Sequence, residues 1–167
     1  MILIKYVAVL EDKTSMWEFP NFGSHLVAVC RAFAELNESK GAVLELGCGD
    51  FSTPLLHELC AYRKLVSLDY VKGWTDRFSH LETSQHIIRN VLSWHDLPEY
   101  QEEWDIVLVD NSPSPYRRVA AEALANKAKL LICHDTESWD NIYEYQDCLP
   151  AFKYLVDIII NLYQTTI

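Results

Sequence analysis

The sequence has few basic residues for its number of acidic ones. It carries 14 Lys and Arg against 24 Asp and Glu, which gives a formal net charge of −10. A surface with this balance repels polyphosphate, so the overall charge argues against a nucleic-acid-binding groove. The adjacent residues Arg117 and Arg118 are the best local basic patch, although two neighbouring arginines usually solvate a helix start. We therefore do not expect a nucleic-acid partner.

Patterns typical of metal-binding or membrane proteins are also missing. The five cysteines form no CxxC pair and no metal-like spacing, which indicates reduced thiols in a cytoplasmic protein. The apolar run at residues 2–10 is too short to cross a bilayer and lacks the features of a secretory signal. No internal repeat divides the 167 residues. We expect one cytoplasmic domain over residues 1–167 without a membrane partner, made of an N-terminal arm and helix (1–40) and a core (41–167).

Hydrophobic periodicity predicts strands that alternate with helices. Continuous apolar runs predict five buried strands, at residues 42–46, 64–68, 86–91, 105–109 and 129–133. Helical spacing predicts helices at residues 24–40 (ended by Gly41), 53–62, 75–83, 116–127 and 139–149. This alternation favours an α/β fold, a three-layer sandwich around a doubly wound and mostly parallel sheet.

The C-terminal residues predict a different kind of strand. Residues 152–156 and 162–167 have strand character, and no helix fits between them. A tight return of this kind would add an antiparallel edge strand to the sheet. A partner or a homodimer can complete that edge through the apolar N-terminal arm, since exposed edges invite pairing.

Two strand ends carry the first functional signal. The first core strand ends in Glu45-Leu46-Gly47-Cys48-Gly49-Asp50, where two glycines allow a sharp turn and a close ligand approach. Asp69 closes the second core strand, 20 residues after Gly49. A carboxylate at this place accepts ribose hydroxyls in dinucleotide-binding folds, whose ligands collect at the carboxyl ends of the strands. The combination predicts a nucleoside site.

The residues around the turn discriminate between nucleoside cofactors. A dinucleotide fingerprint has a third glycine, and Ser52 stands at its position. A pyrophosphate needs a bare helix N-terminus, whereas this loop offers the acidic Glu45 and Asp50 and the hydroxyls of Ser52 and Thr53. Acidic groups suit a cationic amino-acid moiety, and hydroxyls suit its carboxylate. A nicotinamide-dependent oxidoreductase is therefore the weaker alternative.

The segment from Val43 to Gly49 resembles motif I of the class I methyltransferases that use S-adenosylmethionine (SAM). The Ser52-Thr53 pair is similar to the branch that methylates small molecules and sugars, and the resemblance covers most of the chain from about Gly41. It implies a Rossmann-like methyltransferase fold and methyl transfer from SAM to an oxygen or nitrogen of a small-molecule or sugar-like acceptor. The cofactor-binding residues that it implies are Glu45, Gly47, Cys48, Gly49, Ser52, Thr53, Asp69, Tyr70, Leu92, Ser93 and Asp110, with Trp94 and Asp96 as looser candidates beside the adenine.

Two further strand ends predict the catalytic residues. Asp110 ends the fourth core strand and His134-Asp135 ends the fifth, so these side chains are expected to converge in one cleft. In one mechanism, His134 or Asp110 withdraws the acceptor proton while the methyl group is delivered in line. In the other, Asp110 and Asp135 bind Mg²⁺, which holds the acceptor oxygen. The second resembles catechol and antibiotic-sugar O-methyltransferases, from which the chain departs by having His134 where a carboxylate is expected.

Several alternatives stay open from the sequence. Asp135 can simply cap the following helix, and the remaining histidines show no ligand spacing, so we expect them to be structural. His25 is the exception, because the segment before the core often lines the acceptor pocket. The aromatic residues there form either a substrate lid or a packed arm: Trp17, Phe19, Pro20 and Phe22. The alternative functions are a non-catalytic SAM-binding or regulatory subunit and a nucleic-acid or cap methyltransferase.

Overall fold

A computed structural model describes residues 25–134 in full and the backbone of two further strands, 2–9 and 154–161. The strands are β1 (Ile2–Val9), β2 (Val43–Leu46), β3 (Leu65–Asp69), β4 (His86–Asn90), β5 (Trp104–Val109), β6 (Ala128–Cys133) and β7 (Tyr154–Asn161). The described helices are α1 (Leu26–Glu35), α2 (Ser52–Leu59), α3 (Lys72–Phe78) and α4 (Tyr116–Leu124), with short 3-10 turns at Ser79–Leu81 and Pro98–Gln101. None of the helices described here combines the length and the apolar character needed to cross a membrane.

All seven strands form one parallel sheet in the order β4-β3-β2-β5-β6-β1-β7. The α/β class and the five core strands are confirmed. Counted from β2, the core strands stand in the order 3-2-1-4-5, which is compatible with a Rossmann-like sheet. The order reverses between β2 and β5.

Helices cover both faces of the sheet, which gives three layers. Val43 and Ile106 pack on one face with residues of α1 and α2. Leu44 and Val107 pack on the opposite face with residues of α4, because successive side chains of a strand point to opposite faces. The chain therefore leaves β2 and β5 toward different faces. In sheets of this kind, ligands bind outside the carboxyl ends of the strands at the point of reversal.

The first described helix is shorter than its apolar pattern predicts. It ends at Glu35, not near residue 40, and buries Ala28, Val29 and Ala32. Gly41 does not end the helix. Its N–H donates to Asp105 Oδ2 at 2.7 Å, and a Cβ at this position would lie 2.6 Å from that same oxygen. The glycine therefore permits a close approach to a carboxylate.

The predicted antiparallel edge strand is wrong. The described strand here is β7, which overlaps the strand expected at residues 152–156, while the strand expected at residues 162–167 lies outside the described residues. It runs parallel to β1 from Ile2↔Tyr154 to Val9↔Asn161. The physical reason is that the N-terminal arm enters the sheet as a parallel neighbour, and the apolar run continues through Asp157 without a turn. Since β1 also pairs with β6, β1 itself offers no open edge to a second copy.

Candidate active site

The glycine turn lies where the strand order reverses. Gly47 has a φ of 96°, in the left-handed region that favours glycine. A Cβ at this position would lie 2.6 Å from the carbonyl carbon of Asp110 and 2.9 Å from the backbone nitrogen of Asn111. No side chain fits in that space. Gly47 thus allows the end of β2 to pack directly against the backbone that follows β5.

Asp69 is tied to the same turn through its carboxylate. The Cys48 N–H donates to Asp69 Oδ2 at 2.8 Å, and the Val71 N–H donates to Oδ1 at 2.7 Å. Burial raises the pKa of Asp69, and these two N–H groups oppose the rise. Each carboxylate oxygen keeps capacity for a second donor. The two strand ends that the sequence singled out therefore meet.

The side chain within the glycine turn, that of Cys48, is buried, and the backbone of the turn is closely packed. The Cys48 thiol is buried beside Phe78 and Ile88, and burial raises the pKa of this thiol far above its ordinary value. A Cβ on Gly49 would lie 3.1 Å from Ser52 Oγ, so the backbone here is closely approached by α2. The Cys48 side chain is therefore not presented to a ligand at this turn.

Glu45 is completely buried and acts on the turn through Thr53. The Thr53 hydroxyl donates to the Glu45 carboxylate at 3.0 Å and accepts the Gly49 N–H at 3.0 Å. Burial raises the pKa of Glu45 from 4.5 to about 7, against the hydroxyls of Ser52, Ser67 and Thr53. Direct contact between Glu45 and a cofactor stays a prediction.

The residues expected near an adenine divide into two groups, of which the first is exposed. Tyr70 is 47% exposed at the end of β3, and Leu92 is 90% exposed after β4. Ser93, also exposed, accepts the His95 N–H at 3.0 Å. The Val91 N–H donates to the Asp69 carbonyl at 2.9 Å, which holds this segment beside the β3 end. These side chains are accessible to a ligand at Asp69.

Trp94 belongs to the core instead. It is 1% exposed, and its Nε1–H donates to the Ser112 carbonyl at 2.7 Å. The Tyr100 hydroxyl donates to the Trp94 carbonyl at 2.9 Å. Asp96 is exposed and has a φ of 54°. The indole therefore anchors the loop after β5 and is not presented to a ligand.

The structure brings Asp110 and His134 together at the ends of β5 and β6. His134 Nδ1 lies 3.0 Å from Asp110 Oδ1, and an ionised carboxylate only accepts, so the imidazole donates. Arg117 Nη2 lies 2.6 Å from the same oxygen. Arg117 also donates to the carbonyls of Asn111, at 3.0 Å, and His134, at 3.2 Å. The guanidinium thereby fixes both strand ends, and the three side chains form the Asp110 cluster.

Sequence reasoning missed Arg117 as a member of this region, whereas His25 was the one further histidine expected near the acceptor pocket. Arg117 is 8% exposed, although the sequence suggested a solvated residue at a helix start. Its neighbour Arg118 pairs with Glu122. The available signal for Arg117 was its place in the first turn of the helix that directly follows the Asp110 strand. His25 immediately precedes α1, and its ring centroid lies 4.8 Å from that of His134 in an edge-on arrangement.

A metal site here would differ from the one expected. His25, Asp110 and His134 each offer one ligand atom within 4.8 Å of the others. This donor set has two nitrogens, whereas Mg²⁺ prefers oxygen, and Arg117 already supplies a cation to Asp110. Asp135 and the aromatic residues 17–22 lie outside the described residues, so Mg²⁺ binding by Asp110 and Asp135 stays a prediction.

Two histidines that were expected to be structural form a polar contact inside the protein. His57 Nδ1 lies 3.0 Å from His86 Nδ1, and His86 Nε2 lies 2.9 Å from Ser67 Oγ. Ser67 is the direct neighbour of Glu45 in the β2–β3 register. The side chains of His57, His86, Ser67, Glu45 and Thr53 thus form one series, which we call the buried chain.

Comparisons with known proteins give no identity for this chain. A scan against protein-family models finds no match. A search of curated proteins finds no match either. The function is therefore inferred from the residues of the site and their geometry.

Proposed function

We propose that the protein binds SAM at the glycine turn and transfers its methyl group to an oxygen or nitrogen of a small-molecule acceptor. The observation that carries the proposal is that the glycine turn brings the end of β2 into contact with the ends of both β5 and β3. The Gly47 turn packs against the backbone after β5, and the Cys48 N–H holds the Asp69 carboxylate. A glycine turn and a fixed carboxylate at the point of strand reversal suit an adenosine-containing ligand in a Rossmann-like methyltransferase fold.

The charge of the site supports SAM over a pyrophosphate-containing cofactor. Burial is the largest cause of the raised pKa of both Glu45 and Asp69, and the negative charge of Asp110 adds to each, so the three carboxyl groups share one electrostatic field. Such a field favours the sulfonium and ammonium groups of SAM and disfavours a pyrophosphate. It also disfavours a nucleic-acid acceptor, in agreement with the net charge of −10.

The ribose and base of SAM have suitable partners on the same edge. Two backbone N–H groups fix the orientation of the Asp69 carboxylate, and each oxygen can still accept a ribose hydroxyl. The exposed Tyr70 and Leu92 offer apolar surface for an adenine ring. Their exposure fits a binding role better than a packing role.

The Asp110 cluster supports catalysis as opposed to cofactor binding alone. Bound SAM supplies an electrophilic methyl group. Asp110 accepts the Nδ1–H of His134, so the neutral imidazole carries its lone pair on Nε2, and Arg117 holds Asp110 in place. His134 can then take a proton from the acceptor hydroxyl or amine. Positioning supplies most of the acceleration, and base assistance contributes about 10²- to 10⁴-fold.

A labelled-methyl transfer assay tests this function. The wild-type protein is incubated with methyl-labelled SAM and separate pools of metabolites, glycans and nucleotides, and incorporation into small molecules is expected. His134→Ala should lower kcat about 10²-fold, whereas His80→Ala, which removes an exposed histidine, should not. A chelator should leave the rate unchanged if His134 acts as the base. SAM binding without transfer to any pool would instead support a non-catalytic SAM-binding subunit.

A further inference from the structure

The buried chain connects the glycine turn to the side of the protein where His57 lies. Its outer end, His57, is half-buried on α2. Inward from it, His86 is 2% exposed, and Ser67 and Glu45 are fully buried. Each neighbour is within hydrogen-bonding distance or is a direct cross-strand partner. The inner side chains are shielded from bulk water, and these groups offer a hydrogen-bonded path by which a proton can reach Glu45 without local opening.

A neutral His86 allows two arrangements of protons in the buried chain. In the first, His57 donates to His86 Nδ1, His86 Nε2–H donates to Ser67, and the Ser67 hydroxyl donates to an ionised Glu45. In the second, a protonated Glu45 donates to Ser67, the Ser67 hydroxyl donates to His86 Nε2, and His86 Nδ1–H donates to His57. Every donor has an acceptor in both arrangements. The hydrogen bonds of the buried chain therefore reverse their directions together.

The conversion balances without any further reactant. One proton from solvent binds His57 Nε2, and the Nδ1 proton of His57 moves to His86 Nδ1. The Nε2 proton of His86 then moves to the Ser67 oxygen, and the original hydroxyl proton of Ser67 moves to Glu45. Each N–H or O–H bond that breaks is replaced by one that forms. The net result is one proton taken from solvent and one protonated Glu45.

We propose that His57, His86 and Ser67 form a proton path from the protein surface to Glu45, and that the charge of Glu45 controls how firmly the glycine turn holds its ligand. The second part of this inference rests on the proposed SAM-binding function. Thr53 transmits the charge, because its hydroxyl donates to Glu45 and accepts the Gly49 N–H. A bond to an ionised carboxylate is stronger than one to a neutral carboxyl group. The turn is therefore firmest when Glu45 is ionised.

The surroundings of Glu45 permit this switch near neutral pH. The polar and titratable groups that face it are Ser52 and Thr53 of α2, Ser67 of β3, Asp110 after β5, and the Cys48 and Cys60 thiols. None of these groups is a cation. Burial raises the pKa of Glu45 to about 7, while burial and the neighbouring His57 lower the pKa of His86 to about 4. His86 thus stays neutral while Glu45 changes charge.

Nuclear magnetic resonance tests the proton path without any ligand. The ¹⁵N shifts of His86 should report Nε2–H at pH 8 and Nδ1–H at pH 6, with the change centred on the titration of the Glu45 carboxyl ¹³C signal. Glu45→Gln, which replaces the titrating carboxyl by a neutral amide, should hold His86 in one tautomer across this range. A single His86 tautomer across this range in the wild-type protein would overturn the proton path.

Calorimetric titration with SAM tests the control of the turn. Wild-type affinity should be about fivefold higher at pH 8 than at pH 6, because the charge-assisted bond of Thr53 strengthens. Ser67→Ala should move the inflection to higher pH, since a hydroxyl that lowers the pKa of Glu45 is lost. Ser67→Thr should restore the wild-type profile, and His80→Ala should leave it unchanged.

The outcomes separate this inference from the proposed function. SAM affinity that is equal at pH 6 and pH 8, with a titrating Glu45, would overturn the control of the turn. A switching His86 in a protein that binds no SAM at either pH would overturn the proposed function and leave the proton path intact. A pH profile that Ser67→Thr fails to restore would contradict the role of the Ser67 hydroxyl.

Discussion

Glu45 and Asp110 are carboxylates from neighbouring strands with opposite surroundings. Glu45 is fully buried among hydroxyl groups, whereas the Asp110 side chain is 21% exposed and contacts Arg117 and His134. A carboxylate without a cation retains its proton to about pH 7 and supports the turn from inside. Asp110 is instead paired with a cation and an imidazole, and the proposed function uses this pair for catalysis. Burial and partners, not residue type, therefore distinguish the two carboxyl groups.

The largest effect should come from a substitution that pushes the glycine turn away from the backbone at Asp110. Gly47→Ala forces a Cβ into the backbone at Asp110 and Asn111 and requires a positive φ from alanine. We expect a loss of about 4 kcal/mol in the free energy of unfolding, measured by urea denaturation. Gly73→Ala in α3 is the control, because a Cβ there contacts nothing within 4 Å. The control should gain about 0.5 to 1 kcal/mol, and equal effects of both substitutions would refute the close approach.

The next-largest effect is on the pH dependence of the free energy of unfolding, and it comes from Glu45. The unfolded chain releases the Glu45 proton near pH 4.5, whereas the folded protein keeps it to about pH 7. The folded state binds more protons in this window, so the stability of the wild-type protein falls as pH rises through it. Relative to Glu45→Gln, the wild-type protein should lose about 3 kcal/mol between pH 4.5 and pH 8. Parallel stability curves for the two proteins would contradict a buried Glu45 of raised pKa.

A smaller loss of stability is expected when the ion pair of Asp110 is removed. Arg117→Ala removes the ion pair with Asp110 and two bonds to carbonyl groups. We expect a loss of about 2 kcal/mol, less than for a sealed ion pair because Asp110 is partly solvated. Arg31→Ala, in α1, removes an exposed pair with Glu35 and should cost less than about 0.5 kcal/mol. Similar losses for both variants would argue against the anchoring role of Arg117.

The sheet and the turn were readable from the sequence because local signals determine them. Continuous apolar runs at residues 42–46 and 105–109 predict strands that are buried on both faces, and the structure confirms them as β2 and β5. Gly47 predicts a turn with a positive φ, a conformation that favours glycine. Asp69 was recognisable from its spacing. These features require no knowledge of distant residues.

The rest depends on which segments become neighbours. The contact of His86 with Ser67 follows from the parallel register of β3 and β4, which no local pattern reveals. Arg117 looks like half of a solvated pair until α4 packs beside the end of β5. The direction of β7 was mispredicted because a strand's polarity is set by the neighbour it joins, here β1 from the other end of the chain.

The central claim is that the glycine turn and Asp69 together bind the adenosine part of SAM, and calorimetric titration with SAM tests it most directly. The account predicts binding by the wild-type protein and by Asp76→Ala, which changes an exposed carboxylate of α3. Asp69→Ala should weaken binding about 30-fold or more, since two hydrogen bonds to a charged acceptor are lost, and Asp69→Asn provides a variant of equal size if the turn is disturbed. Tight binding of NAD without binding of SAM, or equal SAM affinity in all these proteins, would contradict the account.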